Sequence, residues 1–390
     1  MSYTFTAEDV AYLSGATSDA ALTEIDSFAL TPASHIVDIT RARGLFGDRA
    51  AALIETVRLR RKASAKLPSA RGWLFTDDSL QQSTPELVAR RRARRLVGRR
   101  VHDVTCSIGS ELDSLRTCAE TVVGSDLDRV RLAMAQVNVP DVPVLRADAL
   151  VPVTRGTVIV ADPGRRAGGR RRHDPAALEP PLPDLVAAYR DRDIVVKCAP
   201  GLDFDRLGWD GEVEIVSLAG GVREACLWSP GLAEEGVRRR ASVLADDGTA
   251  WEITDAAPDD IPERAPGRFL VDPDGAVVRA GLVRHFAAKH RLWQLDPRIA
   301  YLTGDALPPG IDGFEIVDRI TFSEKGLRQA LASHECGSAE ILVRGIDVDP
   351  AVLRPRLKLK GTRPMAVVIT RIGRGAVAFV CTARARGSAQ

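Results

Sequence analysis

The chain has 390 residues, 45% of them hydrophobic and 27% charged; that is a soluble globular composition with more length than one ordinary core uses. No apolar run approaches the ~18 residues that span a bilayer, and MSYTFTAEDV lacks the basic start and apolar core of a secretion signal, so no membrane partner and a cytoplasmic location are expected. The 54 basic and 52 acidic residues leave a charge of only +2, which by itself announces no nucleic-acid partner; six scattered cysteines, with no CxxC pair and no clustered histidines, read as reduced thiols and give no metal site.

Residues 6–96 carry apolar positions at helical spacing (Val10, Leu13, Leu22; Ile36, Val37, Ile39; Leu53, Ile54, Val57, Leu59), punctuated by Gly15, Pro32, Gly44, Pro68 and Gly72. A small helical domain is expected over 1–97. Its last helix starts with Thr84 at the N-cap and Pro85 in the first turn. That helix carries the run ARRRARRLVGRR, and a second basic run, GRRAGGRRRH, lies at 164–173. From Gly98 onward short apolar strands alternate with helices. Strands are predicted at 101–105, 121–124, 143–145, 158–161, 194–197 and 213–218, with helices at 129–137 and 182–190 among the connections. Such alternation predicts a doubly wound parallel sheet over 98–265. The segments 223–228 and 241–253 read as antiparallel additions. After the proline-rich 257–266, the last stretch (266–390) reads as a helix at 276–292 and a small α+β module. Its strands are expected at 315–319, 340–344, 365–370 and 376–381, a helix at 325–333, and basic residues along 354–360 and at Arg363.

The stretch VHDVTCSIG (101–109) is the first strand and its turn, and in a doubly wound sheet ligands sit beyond the carboxyl ends of the strands. A dinucleotide turn needs G-x-G-x-x-G; here Ser107 stands first, Gly109 second and Leu112 third. That argues against a pyrophosphate cofactor. An acid at the strand end, Asp103, followed by Ser107 and Gly109, suits S-adenosylmethionine, which offers an amino-acid group and a cationic sulfur. Asp126, with Leu127 beside it, ends the next strand, where a carboxylate accepts ribose hydroxyls. Asp148, with Ala149, ends the third, facing the adenine amine. Asp162 and Pro163 end the fourth, where the transferred methyl points. There the Asp162 carboxylate and the carbonyl near Pro163 are expected to accept hydrogen bonds from a target amine. Transfer is then mostly a matter of positioning.

These residues resemble the class I S-adenosylmethionine-dependent methyltransferases, and more closely the bacterial group with a C-terminal THUMP-like domain. The matching stretches are LQQSTPELVARRRARRL, DVTCSIG, GSDLD, ADPGRR, VVKCAPGLDF, YLTGD, AEILVRGIDVDP and LRPRLKLKG. Ser107 departs from the glycine usual in that group. The resemblance implies an α/β methyltransferase core flanked by a helical N-terminal domain and a small α+β domain. It also implies an RNA substrate, rRNA or tRNA, because THUMP-type modules accompany RNA-modifying enzymes. On that reading Arg91, Arg95, Arg165, Arg166, Arg171, Lys358 and Lys360 contact phosphates; the blander reading of the arginine runs is a solvated helix face. Cys198, on the fifth strand, lacks the sequence context of the covalent base methylases and is expected to be a packed thiol. Methylation of a protein or small molecule, or an inactive RNA-binding protein that keeps the fold, are the alternative readings.

Overall fold

The computed structural model describes residues 3–165, 175 and 178–388. Its contacts gather into two compact units: residues 1–218, 223–234 and 246–249 form one, and 219–222, 235–245 and 250–390 the other. The helical segment expected at 1–97 therefore shares a unit with the sheet that follows it, and the strands of the hairpin at 239–254 go with the C-terminal module.

In the first unit, helices α1 (Ala7–Leu13), α2 (Thr17–Asp26), α3 (His35–Phe46) and α4 (Ala50–Ala63) form as the apolar spacing predicts. Thr6 and Asp9 close a capping box on α1. Leu53 and Ile25 are fully buried, whereas Ile36 and Val37 face outward, 80% and 69% exposed; helical periodicity marks a stripe but not which stripe is covered. Helices α5 (Asp77–Gln82) and α6 (Glu86–Arg94) lead into the sheet. Pro85, not Thr84, sits at the α6 N-cap; the Thr84 hydroxyl instead donates to Glu224 at 3.4 Å. The segment is welded to the sheet by Asn138, buried at the end of α8 (Arg129–Asn138). Its carboxamide accepts from Leu74 N–H at 2.8 Å and donates to the carbonyls of Leu74 and Ile108, both at 3.0 Å. Ile108 and Met134 join the same apolar cluster as the first helices.

The strands are β1 (Arg100–Asp103), β2 (Thr121–Asp126), β3 (Val144–Arg146), β4 (Val158–Ala161), β5 (Ile194–Cys198), β6 (Glu212–Leu218) and β7 (Gly221–Trp228), in the order β3-β2-β1-β4-β5-β7-β6. The first five run parallel and β7 pairs antiparallel to β5. Helices α7 (Ser110–Leu115), α8 and α9 (Leu182–Ala188) make the crossovers. In β1, His102 is buried between the Thr154 and Ser125 hydroxyls, each at 3.0 Å, and burial holds its pKa down at about 4. It is a neutral linker across the sheet.

The second unit contains the hairpin β8 (Arg239–Leu244) and β9 (Ala250–Thr254), helices α10 (Gly275–Arg279) and α11 (Val283–His290), and a sheet. Its strands are β10 (Phe269–Val271), β11 (Trp293–Gln294), β12 (Leu302–Gly304), β13 (Asp312–Thr321), β14 (Cys336–Arg344), β15 (Arg363–Ile372), β16 (Gly375–Thr382) and β17 (Ala385–Arg386). The path is β11-β12-β10-β13-β16-β15-β14, with β17 on β13. The single helix expected at 276–292 is broken at Gly281, whose φ of +77° suits glycine. Along β15, Met365, Val367 and Ile369 pack with Leu327 and Leu331 of α12 (Glu324–Ser333) and Leu353 of α13 (Pro350–Arg356), while Ala366 and Val368 pack with Leu295, Ile299 and Tyr301. Alternation of period two thus buries both faces of this strand. Strands β10 and β12, three residues each, were too short to stand out in the sequence, and α13 was hidden in its basic stretch.

Candidate active site

The carboxyl ends of β1 to β4 converge on a cavity of about 410 Å3 whose walls include Asp103, Ser107, Asp126, Leu127, Asp148, Ala149 and Asp162. The first three strand ends close in the same way. Each terminal aspartate accepts from the backbone N–H two residues on: Asp103 from Thr105 at 3.0 Å, Asp126 from Asp128 at 2.9 Å and Asp148 from Leu150 at 2.9 Å. These Asx turns fix three carboxylates at one sheet edge. The second oxygen of Asp126 accepts from the Ser107 N–H at 3.0 Å, tying β2 to the turn. Asp162 differs, because its backbone N–H donates to the Thr105 hydroxyl at 2.7 Å and its carboxylate pairs with Lys197 of β5.

Gly109 lies behind the cavity. Its φ is +88°, and a Cβ there would stand 3.1 Å from Val139 Cγ2, so this glycine serves the turn and the packing of α8. Ser107 also adopts a left-handed φ, +50°. That explains the preference for glycine at this place in similar enzymes, and here a serine bears a strain on the order of 1 kcal/mol.

Beneath the cavity lies an ion-pair lattice that periodicity does not reveal. Arg92 of α6 is 3% exposed. It pairs with Glu111 of α7 at 2.5 Å and with Glu224 of β7. Burial raises the Glu224 carboxyl, but Arg92 and Lys197 more than offset this and hold it below the usual range. For Glu111 burial wins over the Arg92 pairing and its pKa stays raised. Burial opposes the Lys197 charge, yet Asp162 and Glu224 outweigh it and raise the ammonium pKa. Arg95, expected on RNA, instead grips Glu212 at 2.6 and 2.9 Å and Glu214 at 2.9 Å, with its guanidinium 3.8 Å over the Trp228 ring. Arg91, also expected on RNA, reaches Glu214 at 3.5 Å. Both are corrections with one cause: β6 brings two buried glutamates, at alternate positions on one face, under the helix. The available signal was the pairing of Glu212-x-Glu214 in an apolar strand with Arg91, Arg92 and Arg95 at helical spacing.

Asp103 is the most perturbed of the strand-end acids. Burial raises its pKa to about 8, the Thr105 N–H offsets part of this, and Glu111, Asp162 and Asp126 add to it. The native state therefore holds this proton between the ordinary value of 3.8 and about 8, and stability falls as pH rises across that window. Asp103→Asn is expected to stabilise the cofactor-free protein, with no gain near pH 4 and the full gain by pH 8. Denaturant midpoints measured at both pH values check this; a shift of equal size at both would show that the carboxylate carries no such penalty.

A second cavity, of about 530 Å3, includes Lys66, Pro163, Cys198 and Arg223 in its walls and shares Gln82, Ser83, Thr84, Asp162, Gly164 and Lys197 with the first. The Cys198 thiol is buried and, chiefly for that reason, its pKa is pushed well up, as suits a packed thiol. Among the remaining expected phosphate contacts, Arg165 lies in a two-residue ribbon opposite Leu178, its side chain outside the described residues, as are Arg166 and Arg171. Lys358 and Lys360 are exposed in the second unit, just past α13. Among the described residues no group of acidic, histidine or cysteine side chains is arranged to hold a metal, and no helix is long and apolar enough to cross a membrane.

Four acids at the ends of β1 to β4, on a sheet of order 3-2-1-4-5 with an antiparallel strand inserted next to β5, define a nucleoside-cofactor enzyme of the methyltransferase fold. Over 356 residues the chain is 56% identical to uncharacterized S-adenosylmethionine-dependent methyltransferases of Mycobacterium tuberculosis strains CDC 1551 and H37Rv, covering 87% of this chain and 99% of each relative. It belongs to the S-adenosylmethionine-dependent methyltransferases. A family model described as THUMP domain-like matches residues 312–383, and one described as a domain of unknown function matches 6–63. A crystal structure from Porphyromonas gingivalis W83, named as that of a methyltransferase, shares the fold. Its TM-score is 0.78 at 19% identity, covering 99% of this chain and 100% of that one.

Proposed function

We propose that this enzyme methylates a nucleotide base in RNA, with the first cavity taking S-adenosylmethionine and the second the acceptor. The observation that carries the reading is that Asp162 lines both cavities. The donor residues suit the cofactor's chemistry. Asp103 borders the cavity where a cationic amino-acid end would sit; burial keeps its proton on without a counterion, and a cation there draws it to the charged form, while Asp126 offers acceptors for a ribose diol. Asp148 faces an adenine amine, with Leu127 and Ala149 as apolar flanks. When bound, the cofactor supplies an electrophilic methyl group. Asp162, fixed by Lys197 and by the Thr105 hydroxyl, accepts a hydrogen bond from the target amine and turns its lone pair toward the cofactor cavity, with the carbonyl near Pro163 as a further acceptor. The acids at the four strand ends, with Glu111 and Glu179 also on the wall, favour a cationic ligand over an anionic dinucleotide.

RNA is favoured over protein and small-molecule acceptors by the THUMP domain-like match at 312–383 and by Lys358, Lys360 and Arg363, all exposed within it. Mass-spectrometric comparison of modified nucleosides in rRNA and tRNA from cells with and without the gene tests this. One methylated nucleoside is expected to vanish with the gene and return with it; an unchanged nucleoside profile beside a lost protein or small-molecule methylation would replace RNA as the substrate. Replacing Lys358 and Lys360 with alanine is expected to weaken RNA binding across sequences. It should also reduce the slope of log affinity against log salt by about 0.7 per lysine for a single strand. Filter binding at several salt concentrations measures both.

A further inference from the structure

Three cations, Lys66, Lys197 and Arg223, and three carboxylates, Asp78, Asp162 and Glu224, border the second cavity, and each carboxylate already has a cationic partner: Asp78 pairs with Arg131, Asp162 with Lys197 and Glu224 with Arg92. Lys197 is matched by Asp162 and Glu224. Lys66 donates only to neutral carbonyls, those of Leu80 at 2.8 Å and Gln81 at 2.9 Å, and an ammonium has three donors. Arg223, exposed on β7, has one hydrogen bond, from Nη2 to the Leu218 carbonyl at 3.2 Å, and a guanidinium has five donors. Among the described residues neither side chain forms an ion pair. Carbonyls satisfy hydrogen bonds but do not cancel charge. Burial, with Lys197, Arg223 and Lys62 nearby, holds the Lys66 ammonium down at about 8, and Asp162 offsets only part of this. Like charges gathered around one concavity cost stability that an entering anion recovers.

We infer that Lys66 and Arg223 form an anion seat in the acceptor cavity that takes a phosphate of the methyl-accepting nucleotide and so presents its base to Asp162. A phosphodiester has two unesterified oxygens, one for each cation, and its charge suits two cations that form no ion pair of their own. The seat rests on the reading of the second cavity as the acceptor site. It also assigns the distinction between a nucleotide and a free nucleoside to residues outside the cofactor cavity, since neither Lys66 nor Arg223 lines that one.

Calorimetric titration of the full chain with inorganic phosphate at constant ionic strength tests the seat. Wild type is expected to bind phosphate, and Lys66→Met and Arg223→Met to bind it about tenfold more weakly or worse. Lys66→Arg should recover binding, and S-adenosylhomocysteine affinity should be unchanged in all three variants. Arg223→Met leaves the Lys66 contacts with Leu80 and Gln81 in place, so its loss reports on charge and not on the shape of that loop. Wild type that ignores phosphate, or methionine variants that bind it as wild type does, would overturn the seat. An RNA product with no phosphate effect at Lys66 and Arg223 sinks the seat alone; phosphate bound there with no RNA product sinks the proposed substrate and leaves the seat standing.

Discussion

Asp162→Ala is expected to abolish most turnover, lowering kcat by about 10²–10³-fold, while S-adenosylmethionine affinity stays near that of wild type. The reason is positional. Asp162 stands at the wall shared by the two cavities, and its carboxylate is held by Lys197 and not by its own turn. Asp126→Ala should do the reverse. Its carboxylate accepts from Ser107 and Asp128, and losing it removes both the brace on the turn and an acceptor for two ribose hydroxyls. About 10²-fold weaker cofactor binding is expected. Equilibrium titration with the cofactor and single-turnover methylation separate the two. Asp162→Asn keeps the shape and removes the charge, and it should resemble Asp162→Ala in rate if a charged acceptor is what matters. Equal loss of cofactor affinity at Asp126 and Asp162 would show that the roles are assigned wrongly.

The largest effect on stability is expected at Arg92. Arg92→Met should cost about 3–5 kcal/mol, because it leaves Glu111 buried without its ion-pair partner and Glu224 with only Lys197 to answer it. The sign with pH follows from the carboxylates. Loss of Arg92 removes an interaction that lowers both carboxyls, so Glu111, already raised by burial, holds its proton still more tightly, and the variant loses stability as pH rises above the ordinary value of 4.5. In wild type Glu224, held below that value, contributes stability that is present above 4.5 and lost as pH falls. The gap between the two proteins therefore widens from pH 4.5 to pH 7. Urea unfolding at the two pH values measures it, and a gap that does not change with pH would mean the carboxylates are not paired as described.

The same residues show how far the sequence could be read. The turn at 101–109, the acids at 103, 126, 148 and 162 and the strands that carry them were legible. Their positions follow from local rules: each ends an apolar run, and the first three close an Asx turn. The arginine helix does not declare its partners, because a run of charge looks the same in sequence whether it meets water, RNA or buried glutamates. Only the register of β6 and β7 beneath α6 shows that Arg92 is buried and that Arg91 and Arg95, half-buried, pair with glutamates. Likewise Asn138, one polar residue in a helix, ties the helical segment to the sheet by bonding Leu74 and Ile108 at once, a link no local pattern announces.

By itself, then, the sequence determined the strand order's raw material and the cofactor class, because both are written in neighbouring residues and short-range stereochemistry. The tertiary structure alone decided which charges are free. Lys197 answers Asp162, Arg95 answers Glu212 across more than a hundred residues of chain, and among the described residues Lys66 and Arg223 form no ion pair. Coulomb energy depends on distance and burial in space, and neither is a property of position along the chain.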